Sequence, residues 1–420
     1  MLSAQAETHL PGICPESLEV WPMAVAESQV VLSDALRLVE IEGRGRGLVA
    51  SQPLKGGQIV LRDSPILTYS AFPLKQRQPQ VSGLSYSRYC AHCYRCLVAG
   101  AAMLTCPSCS HPDDGAFCSP KCQSLALSST HTSWMCRALS YLRNCPPLVD
   151  HQSDELQVQA RYLVAAYSLA MVSSLAFQTL LSLDGGGAQG GEKEAEVALF
   201  LHSIISSLPF PEGISPPSVE MTMALLAKDR CNAFGLMEPF LENRERSVRA
   251  YAIYRNASFF NHDCLPNACR FDYIDTAIDG NTDIIIRMIH DVPEGREICL
   301  SYFPVNVSYS ERQRRLLEDY GFSCHCDRCK VEANWSNEDD SGGDETMEEE
   351  DDENMEGSEG ENNEIEPEGD DDFPHAYFFV RFVCDRENCG GTLAPLPPSN
   401  GRPSDVMECN VCGNLKKDEM

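Results

Sequence analysis

The chain has 420 residues, 43% of them hydrophobic, which is enough for a sizeable core and about two to four domains. Its net charge of −29 is concentrated: Glu338 to Asp372 holds 20 acidic residues and no Lys or Arg, and the rest of the chain carries only −9. That balance excludes a basic nucleic-acid footprint, and no direct sequence-specific contact with nucleic acid is expected.

In chain order, residues 1–35 are weakly patterned. From Leu36 the apolar pieces IVL and ILTY read as short strands around GRGRGL, Gly43 to Leu48. Those alternating glycines permit close backbone approach, but no long helical pattern follows them as a dinucleotide fingerprint requires. A cysteine-rich block covers 90–136. Residues 137–230 read as helical: one helix from Asp154 to about Ser182, a flexible break at 184–194, a helix from Glu194 to Ser207, and another from Ser218 to about Phe234. Tyr162 to Leu183 carries no charge and is long enough to span a bilayer. Its four serines, one threonine and one glutamine favour a buried helix instead. DIIIRMIH, 283–290, reads as a strand and PEG, 293–295, as a turn. Ser310 to Tyr320 reads as a short helix capped by Ser310, with Leu316, Leu317 and Tyr320 on its apolar face. The acidic stretch 335–372 reads as a disordered linker, and AYFFVRFVC, 376–384, restarts ordered structure.

Cysteine dominates the chemistry, with 21 residues largely in close pairs. The amino-terminal MLSAQAETHLPG has neither a basic nor an apolar region, so no secretory signal is expected, and short spacings favour zinc over disulfides. Cys90, Cys93, Cys106, Cys109, Cys118, Cys122, His131 and Cys136 supply eight ligands for two tetrahedral zinc sites; Cys96 leaves the register open, because Cys93 and Cys96 form another CxxC pair. CHCDRC offers three ligands, Cys324, Cys326 and Cys329, and Cys264 is a remote candidate for the fourth. Cys384, Cys389, Cys409 and Cys412 resemble a zinc ribbon or knuckle, the alternative being reduced, inert thiols.

Four motifs then stand in a telling order: GRGL (Gly45–Leu48), NHDC (Asn261–Cys264), GREICLSY (Gly295–Tyr302) and CHCDRC, with the cysteine block inserted after the first. The chain resembles SET-domain protein lysine methyltransferases of the SET-and-MYND type, and in particular the plant ASH1-related histone-lysine methyltransferase subgroup. The resemblance implies an α+β, SET-type fold of short strands with an inserted MYND zinc finger and a helical insertion. Its expected parts are an N-terminal extension (1–35), the first SET part (36–89), the finger (90–136), the helical insertion (137–230), the SET core (231–305), a post-SET region (306–334), the acidic linker (335–372) and a terminal four-cysteine element (373–420).

The resemblance also implies ligand sets and roles. Cys90, Cys93, Cys118 and Cys122 would share one zinc; Cys106, Cys109, His131 and Cys136 a second; Cys264, Cys324, Cys326 and Cys329 a third. With the terminal element this makes four structural ions. The cofactor would be S-adenosylmethionine, contacted by the Arg46 backbone, Asn232, Ser258, Asn261, His262 and Phe322. Tyr302 would be the active-site tyrosine, with Tyr254 and Tyr320 around the lysine channel. Asp263 replaces the family's usual serine and is expected to point away from the cofactor. The partner would be a lysine-bearing protein, histone by family, with a proline-containing peptide at the finger. The chain would be a monomer without a membrane span, in the nucleus or, as the alternative, the cytoplasm. The competing reading is a zinc-dependent interaction scaffold with a weak or inactive SET pocket.

Overall fold

A computed structural model describes residues 32–75, 88–97, 103–109, 111, 114–185, 191–242, 246–277, 280–334, 375–399 and 402–418. The expected acidic linker, most of the N-terminal extension and part of the 184–194 break lie outside the described residues.

The chain begins with an antiparallel hairpin, β1 (Leu36–Ile41) and β2 (Gly45–Ala50), in which Ile41 pairs with Gly45. The hairpin turns at Gly43, φ +71°, and Gly45, φ +68°, a left-handed backbone that suits glycine. β3 (Ile59–Asp63) and β4 (Pro65–Ser70) follow. The cysteine block contains two small hairpins, β5 (Arg88–Tyr89) with β6 (Cys96–Leu97) and β7 (Leu104–Thr105) with β8 (Ala116–Phe117). Helix α1 (Pro120–Ser128) leaves the block, and α2 (Ser133–Arg143) and α3 (Pro146–Val149) lead into the helical region.

The apolar run expected to be one helix is two, α4 (Asp154–Val172) and α5 (Ser174–Ser182). Ser173 breaks it: its extended backbone ends α4 while its hydroxyl accepts from Ala176 N at 3.2 Å and starts α5. Tyr162, Leu163, Val164 and Tyr167 are fully buried, so this run faces protein, and among the described residues no helix is long and apolar enough to cross a membrane. α6 (Glu192–Ile205) and α7 (Val219–Asn232) complete the helical layer. Ser218 caps α7 as its position implies, but the helix stops at Asn232, because Ala233–Met237 is recruited as strand β9 beside β10 (Val248–Tyr254).

Two three-stranded sheets, β4-β10-β9 and β12-β13-β3, form the strand layers, with β12 at Ala268–Phe271 and β13 at Ile284–Met288. A 3₁₀ turn (Ala257–Phe259) leads into β11 (Asn261–His262), which pairs in parallel with β14 (Cys299–Leu300). One core joins these sheets to α2, α4, α5, α6 and α7.

Helix α8 spans Tyr309–Arg315 with Ser308 in the cap position, so Ser310 is inside the first turn rather than the cap. It widens into a π turn over Leu316–Tyr320, which ends at Gly321, φ +78°. The wider turn changes the phase of the face: Leu316 is buried, whereas Leu317 is 58% exposed, contrary to its expected place on the apolar side. α9 (Asp327–Glu332), α10 (Ala376–Phe382) and the terminal sheet of β15 (Leu393–Pro395), β16 (Val406–Cys409) and β17 (Leu415–Lys417) complete the described chain.

Candidate active site

The parallel pairing of β11 and β14 builds the centre. It sets Asn261 beside Cys299 and His262 beside Leu300, and Asp263 N donates to Leu300 O at 2.9 Å. Two segments 40 residues apart thus become neighbours, and Tyr302 lands next to His262 with ring centroids 5.2 Å apart. The approach to β11 is fixed by Asp63, whose buried carboxylate accepts from Asn256 N at 2.8 Å and Ala257 N at 2.9 Å.

His262 is 2% exposed and holds the loop. Its Nδ1 accepts from Tyr302 N at 3.2 Å, which leaves Nε2 as the protonated nitrogen facing Cys264 Sγ at 3.2 Å. Burial pushes its pKa down to about 3, so the imidazole is neutral. Its carbonyl accepts from Arg44 Nη2 at 2.5 Å. Both the ring and this carbonyl are engaged within the protein.

The Tyr302 hydroxyl donates to Phe260 O at 3.0 Å, and its ring lies 4.8 Å from that of Tyr320. Burial raises the Tyr302 pKa and pushes that of Tyr320 up to about 12, so both hydroxyls keep their protons at neutral pH. Phe322 follows, 6.4 Å from the Tyr320 ring and 38% exposed. Tyr254 is fully buried in the main core, donates to Thr282 O at 2.5 Å and packs edge-on against Phe234.

The other residues expected to hold the cofactor are each anchored within the protein. Arg46 reaches Ser182 O at 2.7 Å and lies over the Phe259 ring at 4.9 Å. Asn232, 4% exposed, donates to Asp184 O and Lys228 O. Ser258 donates to Tyr254 O at 2.8 Å, and Asn261 donates to Glu297 Oε1 at 2.9 Å. Asp263 turns into its own loop, where Oδ1 accepts from Leu265 N at 2.9 Å. It borders a cavity of about 300 Å³ with Arg44, Arg296 and Glu297, and burial pushes its pKa up to about 6. Sequence reasoning passed over Arg44 and Glu297, although both lie inside quoted motifs; only the fold brings them within 2.6 Å of each other.

Four cysteine-rich groups assemble: Cys90, Cys93, Cys118, Cys122; Cys106, Cys109, His131, Cys136; Cys264, Cys324, Cys326, Cys329; and Cys384, Cys389, Cys409, Cys412. Within each, all ligand atoms lie within 4.8 Å of one another. Sulfur pairs such as Cys118–Cys122 at 3.5 Å and Cys264–Cys324 at 3.9 Å bracket the roughly 3.8 Å edge that Zn–S bonds of about 2.3 Å give a tetrahedron. Cys93 joins the first group and Cys96 does not. Two buried arginines stand beside the third group: Arg312 approaches Cys329 Sγ at 3.6 Å, and Arg312 and Arg328 both pair with Glu332, at 2.5 and 2.6 Å. Such cations suit the excess negative charge of four thiolates around one divalent ion.

The SET domain family matches residues 45–303. The chain belongs to the SET-domain family. The SET chain is 55% identical over 407 residues to the histone-lysine N-methyltransferase ASHR2 of Arabidopsis thaliana, across 92% of its own length and 96% of that protein's. It is 24% identical over 294 residues to the histone-lysine N-methyltransferase SMYD3 of Mus musculus, across 69% of its own length and 60% of that protein's. The solved SET domain of LSMT bound to lysine and AdoHcy aligns at 14% identity with a TM-score of 0.31, over 70% of this chain and 54% of that one, too distant to support any detail here. The SET chain is an S-adenosylmethionine-dependent protein-lysine methyltransferase.

Proposed function

We propose that this SET protein methylates a histone lysine, with Tyr302 and Tyr320 at the lysine channel and the 261–262 and 320–322 segments around the methyl donor. The reading is carried by one observation: the 324–329 segment shares a thiol cluster with Cys264, which draws the tail bearing Tyr320 and Phe322 over the loop bearing Asn261 and His262. The histone assignment follows the name of the Arabidopsis relative.

The donor set fits S-adenosylmethionine. Asn261 has a side-chain carbonyl oxygen to which no described residue donates, and Phe322 offers a partly open ring. The Arg46 backbone, Asn232, Ser258, Asn261, the main chain at His262, and Phe322 would hold the molecule, which supplies an electrophilic methyl carbon on a sulfonium. Aromatic faces tolerate such a cation.

The chain's own task is to deliver a neutral amine. A free lysine has a pKa of about 10.4, and enclosure by buried rings disfavours its ammonium form. The Tyr302 hydroxyl, held by Phe260 O and firmly protonated, positions and polarises rather than removing a proton as phenolate. Most of the rate enhancement then comes from alignment and exclusion of water. Tyr254 acts from the core, where its carbonyl holds Ser258.

The four groups hold structural zinc in this reading, since each offers four protein ligands and leaves no open position for water. The inserted finger is of MYND type and takes a proline-containing peptide; the chain acts as a monomer in the nucleus. The test is recombinant full-length protein with radiolabelled donor and a histone panel, the modified lysine being located by mass spectrometry. Tyr302→Phe lowers transfer about 10²-fold through lost alignment. Transfer to no histone, or unchanged transfer by Tyr302→Phe, overturns the reading.

A further inference from the structure

An asparagine side chain has a donating and an accepting end, and which one faces a ligand decides what it can bind. At Asn261 the choice is forced by its neighbours. Nδ2 lies 2.9 Å from Glu297 Oε1 and 3.4 Å from Arg46 O. The Arg46 carbonyl can only accept. The Glu297 side chain is paired with the Arg44 guanidinium at 2.6 Å, and a carboxylate likewise only accepts. The amide nitrogen therefore must face these two oxygens. Oδ1 then points the other way, and no described residue donates to it.

Glu297 is built to hold this arrangement. Its backbone bridges Val49 of β2, its carbonyl accepts from Asn267 Nδ2 at 2.8 Å, and the next residue, Ile298, donates to Leu48 O at 2.8 Å. Its side chain is only 16% exposed. Its second oxygen anchors Arg44, which also donates to His262 O at 2.5 Å, so the same carboxylate braces both residues of β11. Gly47 makes the contact feasible: a Cβ there would sit 2.8 Å from Asn261 Nδ2 and 3.1 Å from Glu297 Oε1. Any side chain at 47 would press the pair apart.

We infer that Glu297 is a positioning residue for the methyl donor: it locks the Asn261 amide with Oδ1 presented, so that the donor group met there is a hydrogen-bond donor such as the α-ammonium, not the carboxylate. This rests on the proposed contact between Asn261 and the cofactor. Glu297 itself touches no reacting atom. A glutamine in its place could turn its own NH₂ toward Asn261 and remove the fixed polarity.

The test is a double-mutant cycle on the full-length chain, read by calorimetric binding of S-adenosylhomocysteine, with thermal unfolding of the unliganded proteins as the check on folding. Asn261→Ala and Glu297→Gln should each weaken binding about tenfold, the loss expected of a charge-supported hydrogen bond. In the Asn261→Ala background Glu297→Gln should cost clearly less than it does alone, the remainder being the loss of the Arg44 brace on His262 O. In turnover assays Glu297→Gln should raise KM for the methyl donor and leave KM for the histone unchanged. If Glu297→Gln does not fold, Glu297→Asp, which keeps the carboxylate on a shorter arm, should bind between wild type and Asn261→Ala. Normal binding by Glu297→Gln, or an additive double mutant, overturns the inference while leaving Asn261 as a contact. Normal binding by Asn261→Ala overturns the contact itself and the inference with it.

Discussion

At the residue scale, a buried carboxylate ties stability to pH. Asp229 of α7 is held against the hydroxyl of Tyr69, a residue only 3% exposed, and burial pushes the Asp229 pKa up to about 7. An unfolded aspartate titrates near 3.9. Between those values the folded chain binds a proton that the unfolded chain has released, so this group's contribution to stability falls as pH rises through the interval. Asp229→Asn removes the ionisation and still accepts from Tyr69. Calorimetric melting should show the variant gaining on wild type from pH 5 to pH 8; a constant gap across that range would contradict the assignment. Asp263 was legible in part: its departure from the family pattern was visible, and the Asx-type bond to Leu265 N is the usual reason an aspartate precedes such a turn. Its place beside Arg44 and Glu297 was not, because those residues are far apart in the chain.

At the element scale, local signals were readable and packing revised them. The serine caps of α4, α5 and α7 are written in the sequence, yet Ser173 inside an apolar run was read as helix interior, since hydrophobic content outweighed one capping residue. Ala233–Met237 shows the same limit: pairing with β10 overrode the helical pattern at the end of α7. The terminal element was legible as a four-cysteine, ribbon-like group preceded by an ordered run at 376–384, but not in how it docks. Its docking depends on Arg287, 1% exposed, which pairs with Glu408 at 2.6 Å, approaches Tyr273 Oη at 3.3 Å and lies 3.6 Å over the Phe271 ring. Asn410 adds a bond to Arg270 O at 3.0 Å. Arg287→Ala strips this contact and leaves the Glu408 carboxylate with only the Tyr273 hydroxyl, and should cost about 3 kcal/mol in denaturant unfolding. A loss below about 0.5 kcal/mol, the usual size for an incidental surface change, would mean that the element docks by other means.

At the scale of the whole molecule, motif order announced the family, because short Cys spacings and the GRGL, NHDC and GREICLSY segments are local text. The parallel pairing of β11 with β14 and the shared cluster of Cys264 with Cys324, Cys326 and Cys329 are long-range facts, to which spacing alone could only point. In the proposed function that cluster is the joint of the site, and Arg328 beside it reaches outward: it donates to Val305 O at 2.6 Å and lies 4.7 Å over Phe379 of the terminal element. The most direct measurement pairs metal counting by native mass spectrometry with calorimetric binding of S-adenosylhomocysteine, on wild type and Cys264→Ser. The account predicts four zinc ions in wild type, three in the variant, and loss of binding together with the ion. A variant that sheds the ion yet binds normally, or a wild type with no metal at this cluster, would contradict it.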